Sequence, residues 1–161
     1  MPQILIVCTA NICRSPVVAA LLKQRLDEKG YSDWQVDSAG TWAVLSRGAA
    51  NFSIQLMAEQ GIDISHHHAK MINEAMIAQS DLVLCMELGH VEALQIEFNA
   101  YKNKIFALSE MAGKKYSVKD PYGNPIDDYR DMVAEVTRFL DAGFERIIAL
   151  AEANHQARSA E

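Results

Sequence analysis

The segment from Cys8 to Ser15, with the sequence CTANICRS, carries the residue types best suited to chemistry in this chain. Cys8 is a potential nucleophile, and Arg14 offers a planar fork of donors that suits two oxygens of a phosphoryl group. The apolar run before Cys8 predicts a buried strand, and the periodicity after Arg14 predicts a helix. Backbone N–H groups of a strand-to-helix loop form a concave anion site, which would also stabilise a thiolate. The segment therefore predicts attack by a cysteine thiolate on a bound phosphoryl group.

The spacing of Cys8 and Arg14 also arises by chance, and an inert buried cysteine followed by a surface arginine would give the same pattern. The position after a strand favours the chemical interpretation, because ligands of open α/β sheets bind at the carboxyl ends of strands. We predict that Ser15 donates its hydroxyl to the sulfur of Cys8. The other predicted substrate-binding residues of this loop are Thr9, Ala10, Asn11, Ile12 and Cys13.

Apolar runs and helical periodicity alternate along the chain. The predicted strands are Gln3–Val7, Trp34–Ser38, Asp81–Met86 and Lys104–Leu108. The predicted helices are Arg14–Lys29, Gly48–Gln60, Glu87–Phe98 and a last helix that begins near Asn124-Pro125 and frays after Asn154. This alternation predicts an α/β three-layer sandwich with a four-stranded parallel sheet flanked by helices. Without a linker or repeat, residues 1–161 are predicted to form a single domain.

Composition excludes several classes of protein. The net charge of −6 argues against a general nucleic-acid binder, and no apolar run approaches the 18 residues of a membrane span. The N-terminus lacks the basic leader of a signal peptide, and three cysteines are too few for a disulfide scaffold. We therefore expect a cytoplasmic protein. No metal or cofactor is predicted, because the successive histidines 66–68 cannot easily converge on one ion.

Four motifs together resemble the low-molecular-weight protein tyrosine phosphatase family. They are CTANICRSP, SAGTW at Ser38–Trp42, DLVLCM at Asp81–Met86 and DPYG at Asp120–Gly123, in that family's order. The resemblance implies a four-stranded parallel sheet, a phosphocysteine intermediate on Cys8, and a phosphotyrosine-containing protein as substrate. It also implies that Asp120 is the general acid and base, a role for which an Asp-Pro turn alone would not argue.

The family pattern suggests roles for residues around the loop. Tyr122 would form a wall of the pocket, and Trp42 would form another wall or only pack. Asn11 would adopt a left-handed backbone and brace the loop, with His67 bonding to it from behind. Cys13 would either be a small buried hydrophobe or trap oxidised Cys8 as a reversible disulfide. Dimers occur among relatives, so a monomer and a weak dimer both remain open.

This chain departs from the family pattern at three positions. Ala10 replaces a usual glycine, which would add strain if the backbone there requires a positive φ. Glu87 replaces a usual aspartate after the third strand, which puts one supporting contact in question. Ile12 stands where a related arginine-phosphatase branch has threonine, and the bulkier apolar side chain favours an aryl phosphate.

Two other functions fit parts of the pattern. An arsenate reductase of this fold would require a pair of cysteines after the third strand, but only Cys85 is present there. A catalytically silent phosphotyrosine-binding module would have lost its nucleophile or its acid, whereas Cys8 and Asp120 are both present. Both alternatives are therefore disfavoured relative to an active phosphatase that binds phosphate-like oxyanions.

Overall fold

The structure is a computed structural model that describes residues 1–161. The strands are β1 (Gln3–Cys8), β2 (Gln35–Gly40), β3 (Leu82–Cys85) and β4 (Ile105–Ala107). The α-helices are α1 (Arg14–Glu28), α2 (Asn51–Glu59), α3 (Glu74–Gln79), α4 (Leu88–Glu97), α5 (Leu108–Met111) and α6 (Ile126–Ser159). A 3₁₀ helix spans Asn99–Lys104.

The four strands form one parallel sheet in the order β2-β1-β3-β4. The predicted fold class is therefore confirmed. The chain moves from β1 to one side for β2 and to the other side for β3. The carboxyl end of β1 consequently lies at the point where the strand order reverses, which is where open α/β sheets bind ligands.

Side chains of β1 alternate between the two faces of the sheet, because successive residues of a strand point in opposite directions. Ile4, Ile6 and Cys8 face the larger core, which includes apolar side chains of α1, α2 and α6. Leu5 and Val7 face a smaller core beneath α3 and α4. The sheet is thus covered on both faces, and the continuous apolar runs of its strands follow from that burial.

The last helix corrects one prediction. The tail after Asn154 was expected to fray because its apolar period ends, but α6 continues to Ser159. Its polar side chains hold the buried Asp81: Arg158 Nε donates to Oδ1 at 2.9 Å, and Asn154 Nδ2 donates to the backbone oxygen at 2.8 Å. Long-range polar contacts therefore stabilise this end of the helix. No helix in the fold is both long enough and apolar enough to cross a bilayer.

Gly40, at the end of β2, fixes how closely this strand approaches the loop after β1. A Cβ atom at this position would lie 2.4 Å from the backbone oxygen of Thr9, closer than any real contact. The N–H groups of Thr41 and Trp42 then donate to the oxygens of Cys8 and Thr9 at 3.0 and 2.8 Å. Only glycine permits this approach, so β2 supports the Cys8 loop directly.

Candidate active site

The loop from Cys8 to Arg14 presents a row of unpaired backbone donors. The N–H groups of residues 9–13 donate to no acceptor within the protein. Unpaired backbone N–H groups in a buried loop are costly unless an external acceptor satisfies them. A curved set of such donors ahead of a helix binds oxyanions. The backbone therefore has the properties that the sequence predicted for an anion site.

Asn11 determines the shape of this loop. Its φ is 60°, in the left-handed region that asparagine tolerates better than most residues. Ala10 has no positive φ, so the strain considered for an alanine at this position does not arise. The side chain of Asn11 is fully buried and donates to Ser15 Oγ at 2.7 Å and to Ser38 Oγ at 2.9 Å. It therefore braces the loop from behind and does not line the cavity.

Two further contacts hold Asn11 from the segment before α3. The backbone N–H of Lys70 donates to Asn11 Oδ1 at 3.1 Å, which fixes the orientation of the amide. His67 Nε2 donates to the backbone oxygen of Asn11 at 2.6 Å. Burial lowers the pKa of His67, although the bond to that oxygen opposes the shift. His67 thus contacts Asn11 from behind, while Ser38, and not His67, bonds to the Asn11 amide.

Ser15 lies 3.0 Å from the sulfur of Cys8, measured from Oγ to Sγ. Because Ser15 Oγ already accepts a proton from Asn11, its own hydroxyl proton is available to the sulfur. A thiolate has no proton to donate, so in the ionised state Ser15 must be the donor. The chain of hydrogen bonds from Asn11 through Ser15 therefore stabilises negative charge on Cys8.

Arg14 is the largest fully buried side chain near the loop, with 1% of its surface exposed. Its Nη1 donates to the backbone oxygen of Val118 at 2.8 Å and pairs with Glu87 Oε2 at 3.0 Å. Nη2 donates to Thr9 Oγ1 at 3.3 Å, whereas Nε has no acceptor in the protein. One edge of the guanidinium is thus held in place, and Nε remains available to a ligand. Glu87, which replaces the usual aspartate of the family, therefore still provides a supporting contact, the ion pair with Arg14.

Asp120 and Tyr122 approach the loop from the segment before α6. Asp120 Oδ2 lies 3.7 Å from Arg14 Nη2, and the Asp120 side chain is 48% exposed. Its other oxygen accepts the backbone N–H of Tyr122 at 3.1 Å, which makes a tight turn across Pro121. One oxygen of the Asp120 carboxyl group is therefore held by this turn, and the other faces Arg14 at the cavity.

A cavity of about 210 Å³ contains these groups. Its lining comprises Cys8, Thr9, Ala10, Ile12, Cys13, Arg14, Arg47, Asp120 and Tyr122. Trp42 does not belong to this lining and is 79% exposed, so it forms no wall of the cavity in this structure. Arg47 was not predicted to line the cavity, because no motif or periodicity marks an arginine in the segment between β2 and α2.

His90 is a second residue that the sequence did not indicate. Its Nε2 lies 3.0 Å from Thr9 Oγ1 and 3.4 Å from Glu87 Oε2. Burial lowers the pKa of His90, and the neighbouring Glu87 carboxylate opposes that shift. Glu87 is the residue immediately before α4 and His90 lies in its first turn, so the Glu-x-x-His spacing was a signal that could have revealed the pair. Together they position Thr9 and Arg14.

The remaining cysteines and histidines have separate surroundings. Burial raises the pKa of Cys13 to about 11, although a 3.4 Å contact with the Tyr129 hydroxyl opposes this. Cys85 is fully buried in β3, where burial raises its pKa further. His66 lies 3.7 Å from Asp63, and His68 lies 3.5 Å from the Ser46 carbonyl.

A cysteine–arginine loop at the switch point of a parallel sheet defines a class of oxyanion-binding α/β proteins with a nucleophilic thiol. Residues 3–154 match the family model described as low molecular weight phosphotyrosine protein phosphatase. The chain belongs to this family.

Relatives in the family bear two different substrate names. The chain is 35% identical to a probable low molecular weight protein-tyrosine-phosphatase, EpsP, of Ralstonia nicotianae, over 91% of this chain and 97% of the relative. It is also 35% identical to a protein-arginine-phosphatase of Bacillus subtilis, over 86% of this chain and 93% of the relative.

Solved structures agree with this assignment. The low molecular weight protein tyrosine phosphatase of T. tengcongensis superposes with a TM-score of 0.85 at 35% identity, covering 91% of this chain and 99% of that one. Vibrio vulnificus Wzb in complex with benzylphosphonate gives a TM-score of 0.80 at 27% identity, covering 88% and 95%.

Proposed function

We propose that this protein hydrolyses phosphotyrosine in proteins, with Cys8 as nucleophile, Arg14 as phosphate-binding residue and Asp120 as general acid and base. One observation carries the proposal: Cys8 belongs to a loop whose five following N–H groups are unpaired, and this loop, apart from Asn11, lines one cavity together with Arg14, whose Nε is also unpaired. These donors offer an anion more hydrogen bonds than a structural loop requires. Membership of the family supports the same assignment.

In the first step the Cys8 thiolate attacks phosphorus and the bond from phosphorus to the phenolic oxygen breaks. Arg14 and the loop N–H groups stabilise the charge on the equatorial phosphoryl oxygens. The leaving oxygen receives the proton of Asp120, which avoids the release of a phenolate anion. The products of this step are tyrosine and a phosphocysteine.

In the second step a water molecule attacks the phosphocysteine and gives its proton to Asp120. The sulfur–phosphorus bond breaks, and the electron pair returns to Cys8. Ser15, at 3.0 Å from the sulfur, stabilises the departing thiolate through its hydroxyl. Inorganic phosphate leaves, and both Cys8 and Asp120 have recovered their initial states.

The walls of the cavity favour an aryl phosphate. Ile12 and Tyr122 provide apolar and aromatic surface beside Cys8, which suits a flat ring. A second candidate is a protein-arginine phosphatase, because the Bacillus subtilis relative with that name is as similar as the tyrosine-phosphatase relatives. The cationic Arg47 in the lining disfavours this candidate, since phosphoarginine would bring a guanidino group next to it.

Hydrolysis of matched phosphotyrosine, phosphoarginine and phosphoserine peptides tests the proposal. We expect the wild type to hydrolyse phosphotyrosine fastest and Cys8→Ser to lose activity by about 10⁴-fold or more. Cys85→Ala is the matched control, because it removes a buried thiol from the opposite face of the sheet. No turnover of any peptide by the wild type would refute the enzyme, and preference for phosphoarginine would establish the second candidate.

A leaving-group series tests the role of Asp120. Asp120→Ala should slow aryl phosphates with basic leaving groups far more than those with acidic leaving groups, because only the former require a proton. Equal losses across the series would contradict the assignment. The cytoplasmic location, the single domain of residues 1–161 and the choice between monomer and weak dimer remain predictions.

A further inference from the structure

Arg47 and Tyr122 form a shared wall between the Cys8 cavity and a second concave surface. Arg47 Nη2 donates to the Tyr122 hydroxyl at 3.0 Å, and its guanidinium carbon lies 5.4 Å from the centre of the Tyr122 ring. Beyond this pair lies a groove of about 460 Å³, which we name the outer groove. Ile12, residues 48–51 and Tyr129 complete its lining. The outer groove thus begins where the catalytic cavity ends.

Arg47 has most of its binding capacity unused. A guanidinium carries five N–H donors, and only one of these donates to a protein acceptor, the Tyr122 hydroxyl. Arg47 forms no ion pair with any carboxylate of the chain. The hydrogen bond to Tyr122 raises the pKa of Arg47 further, so the side chain remains cationic. A fixed cation without a counter-charge therefore faces both concave surfaces in a protein whose net charge is −6.

The backbone around Arg47 is well anchored. Its carbonyl accepts the N–H of Ala69 at 2.8 Å, and the preceding Ser46 donates to the Ala69 carbonyl at 2.9 Å. Ser46 has a φ of 65°, which turns the chain sharply before Arg47. Since the Ala69 segment also braces the phosphate loop through His67 and Lys70, Arg47 keeps a defined position relative to Cys8.

On the side of Asp120, the cavity adjoins a separate depression that is rich in carboxylates. The charged residues of its lining are Asp120, Asp128, Asp131, Glu135 and Lys119. An acidic residue next to the phosphotyrosine is repelled from that side and attracted toward Arg47. The difference in charge between the two sides therefore favours one orientation of an acidic peptide across the site.

We propose that the outer groove receives the residues next to phosphotyrosine in the protein substrate, and that Arg47 selects an aspartate or glutamate there. The inference rests on the proposed tyrosine phosphatase function and adds the chemistry of the sequence around the phosphorylated residue. Arg47 contacts the substrate outside the reacting atoms, so it acts on selectivity between peptides.

The test compares kcat/KM for phosphotyrosine peptides that carry Glu, Gln or Lys at each of the two positions on either side. We expect Glu to exceed Gln by roughly threefold to fivefold on one side, as for a charge pair at a solvated rim. Arg47→Gln should bring this ratio to about one, Arg47→Lys should retain part of it, and Arg47→Glu should reverse it in favour of Lys. Arg146→Gln, an exposed arginine of α6 without an ion pair, should keep the wild-type ratio.

Ionic strength provides a second readout that a purely structural role would not affect. The Glu preference of the wild type should fall toward one in 1 M salt, because screening weakens exposed charge pairs. An equal rate for Glu and Gln peptides in the wild type, or a ratio unchanged by Arg47→Gln, would overturn the inference while the tyrosine phosphatase function stands. Failure to hydrolyse any phosphotyrosine peptide would overturn the proposed function and the inference with it.

Discussion

Two fully buried charges lie at opposite ends of the central strands, Arg14 beyond the carboxyl end of β1 and Asp81 just before the amino end of β3. Asp81 has its charge fully matched: Arg158 contacts both oxygens at 2.9 and 3.2 Å, and the Gln3 N–H donates at 2.8 Å. Arg14 leaves Nε without a protein acceptor. A charge buried for stability is satisfied by the protein, whereas a charge buried for binding keeps a donor for its ligand.

The largest expected effect is on activity at Arg14. Arg14→Met should lower kcat/KM by about 10³-fold or more, because it removes the guanidinium that stabilises the transferring phosphoryl group. The free energy of unfolding should fall by only about 1–3 kcal/mol, because the Val118 carbonyl loses its donor while water can solvate Glu87, which is 37% exposed. Kinetics and urea denaturation measure the two quantities.

Arg25→Met is the control, because it removes a cation of α1 that pairs with Asp141 of α6 away from the cavity. It should leave kcat/KM within about twofold of the wild type. If Arg14→Met lowered the free energy of unfolding as much as Asp81→Asn does, Arg14 would be buried for stability and the contrast between the two charges would not hold.

The next effect is on stability at Asp81. Asp81→Asn should lower the free energy of unfolding by about 3–5 kcal/mol, because an amide group would face the Gln3 and Arg158 donors and Arg158 would lose its counter-charge. Activity of the folded enzyme should stay within about twofold, since the site lies at the carboxyl ends of the strands and Asp81 at their amino ends. Asp141→Asn, at an exposed pair, is the control and should cost no more than about 1 kcal/mol.

A smaller effect is expected from pH. Burial alone would raise the pKa of Asp81, but the hydrogen bonds from Arg158 and Gln3 outweigh it and lower the pKa. A depressed carboxyl pKa adds stability that is complete above the unfolded value near about 3.9 and is lost as pH falls through the folded value. The stability difference between wild type and Asp81→Asn should therefore shrink as pH falls through the folded pKa of Asp81, where the wild-type carboxyl group becomes neutral. If this stability difference instead grew as the pH fell through that value, the inferred lowering of the Asp81 pKa would be wrong.

The smallest effect concerns the Cys13 thiol. With a pKa raised to about 11 by burial, Cys13 is almost wholly protonated at neutral pH. Once peroxide has oxidised Cys8 to a sulfenic acid, the Cys13 thiolate would displace hydroxide and form a disulfide. The rate should rise about tenfold per pH unit below the pKa.

Recovery of activity with dithiothreitol measures this step. The peroxide-treated wild type should recover about twofold more activity than Cys13→Ser, because the disulfide protects Cys8 from further oxidation. Equal recovery by the two proteins would mean that Cys13 is only a small buried hydrophobe.

The sequence predicted those parts of the molecule that depend on local pattern. The strand, loop and helix around Cys8 follow from an apolar run and helical periodicity, and the structure places them within a residue of the prediction at each end. Asp120 and Tyr122 required the family resemblance, because an Asp-Pro turn in a loop carries no chemistry by itself. The short helix α3 was not predicted, although Asn73 caps it by accepting the Met76 N–H at 2.9 Å.

Features that depend on distant contacts were missed. The end of α6 lacks apolar periodicity, and the contacts of Asn154, His155 and Arg158 with the distant Asp81 stabilise it. Arg47 reaches the cavity because Ser46 turns the backbone and Ala69 anchors it, neither of which has a sequence signature. Trp42 was predicted either to form a wall of the pocket or only to pack, and nothing in the local sequence indicated that its side chain would be exposed.

The hydrogen bond from Arg14 to the carbonyl of Val118 joins residues 104 positions apart. During synthesis on the ribosome, Arg14 therefore cannot form this contact until almost three quarters of the chain has been made. The nucleophile and its loop are synthesised among the first residues, yet their partners arrive near the end. We infer that the nascent polypeptide remains inactive during most of its synthesis, and that activity during refolding appears with the slow closure of this long loop.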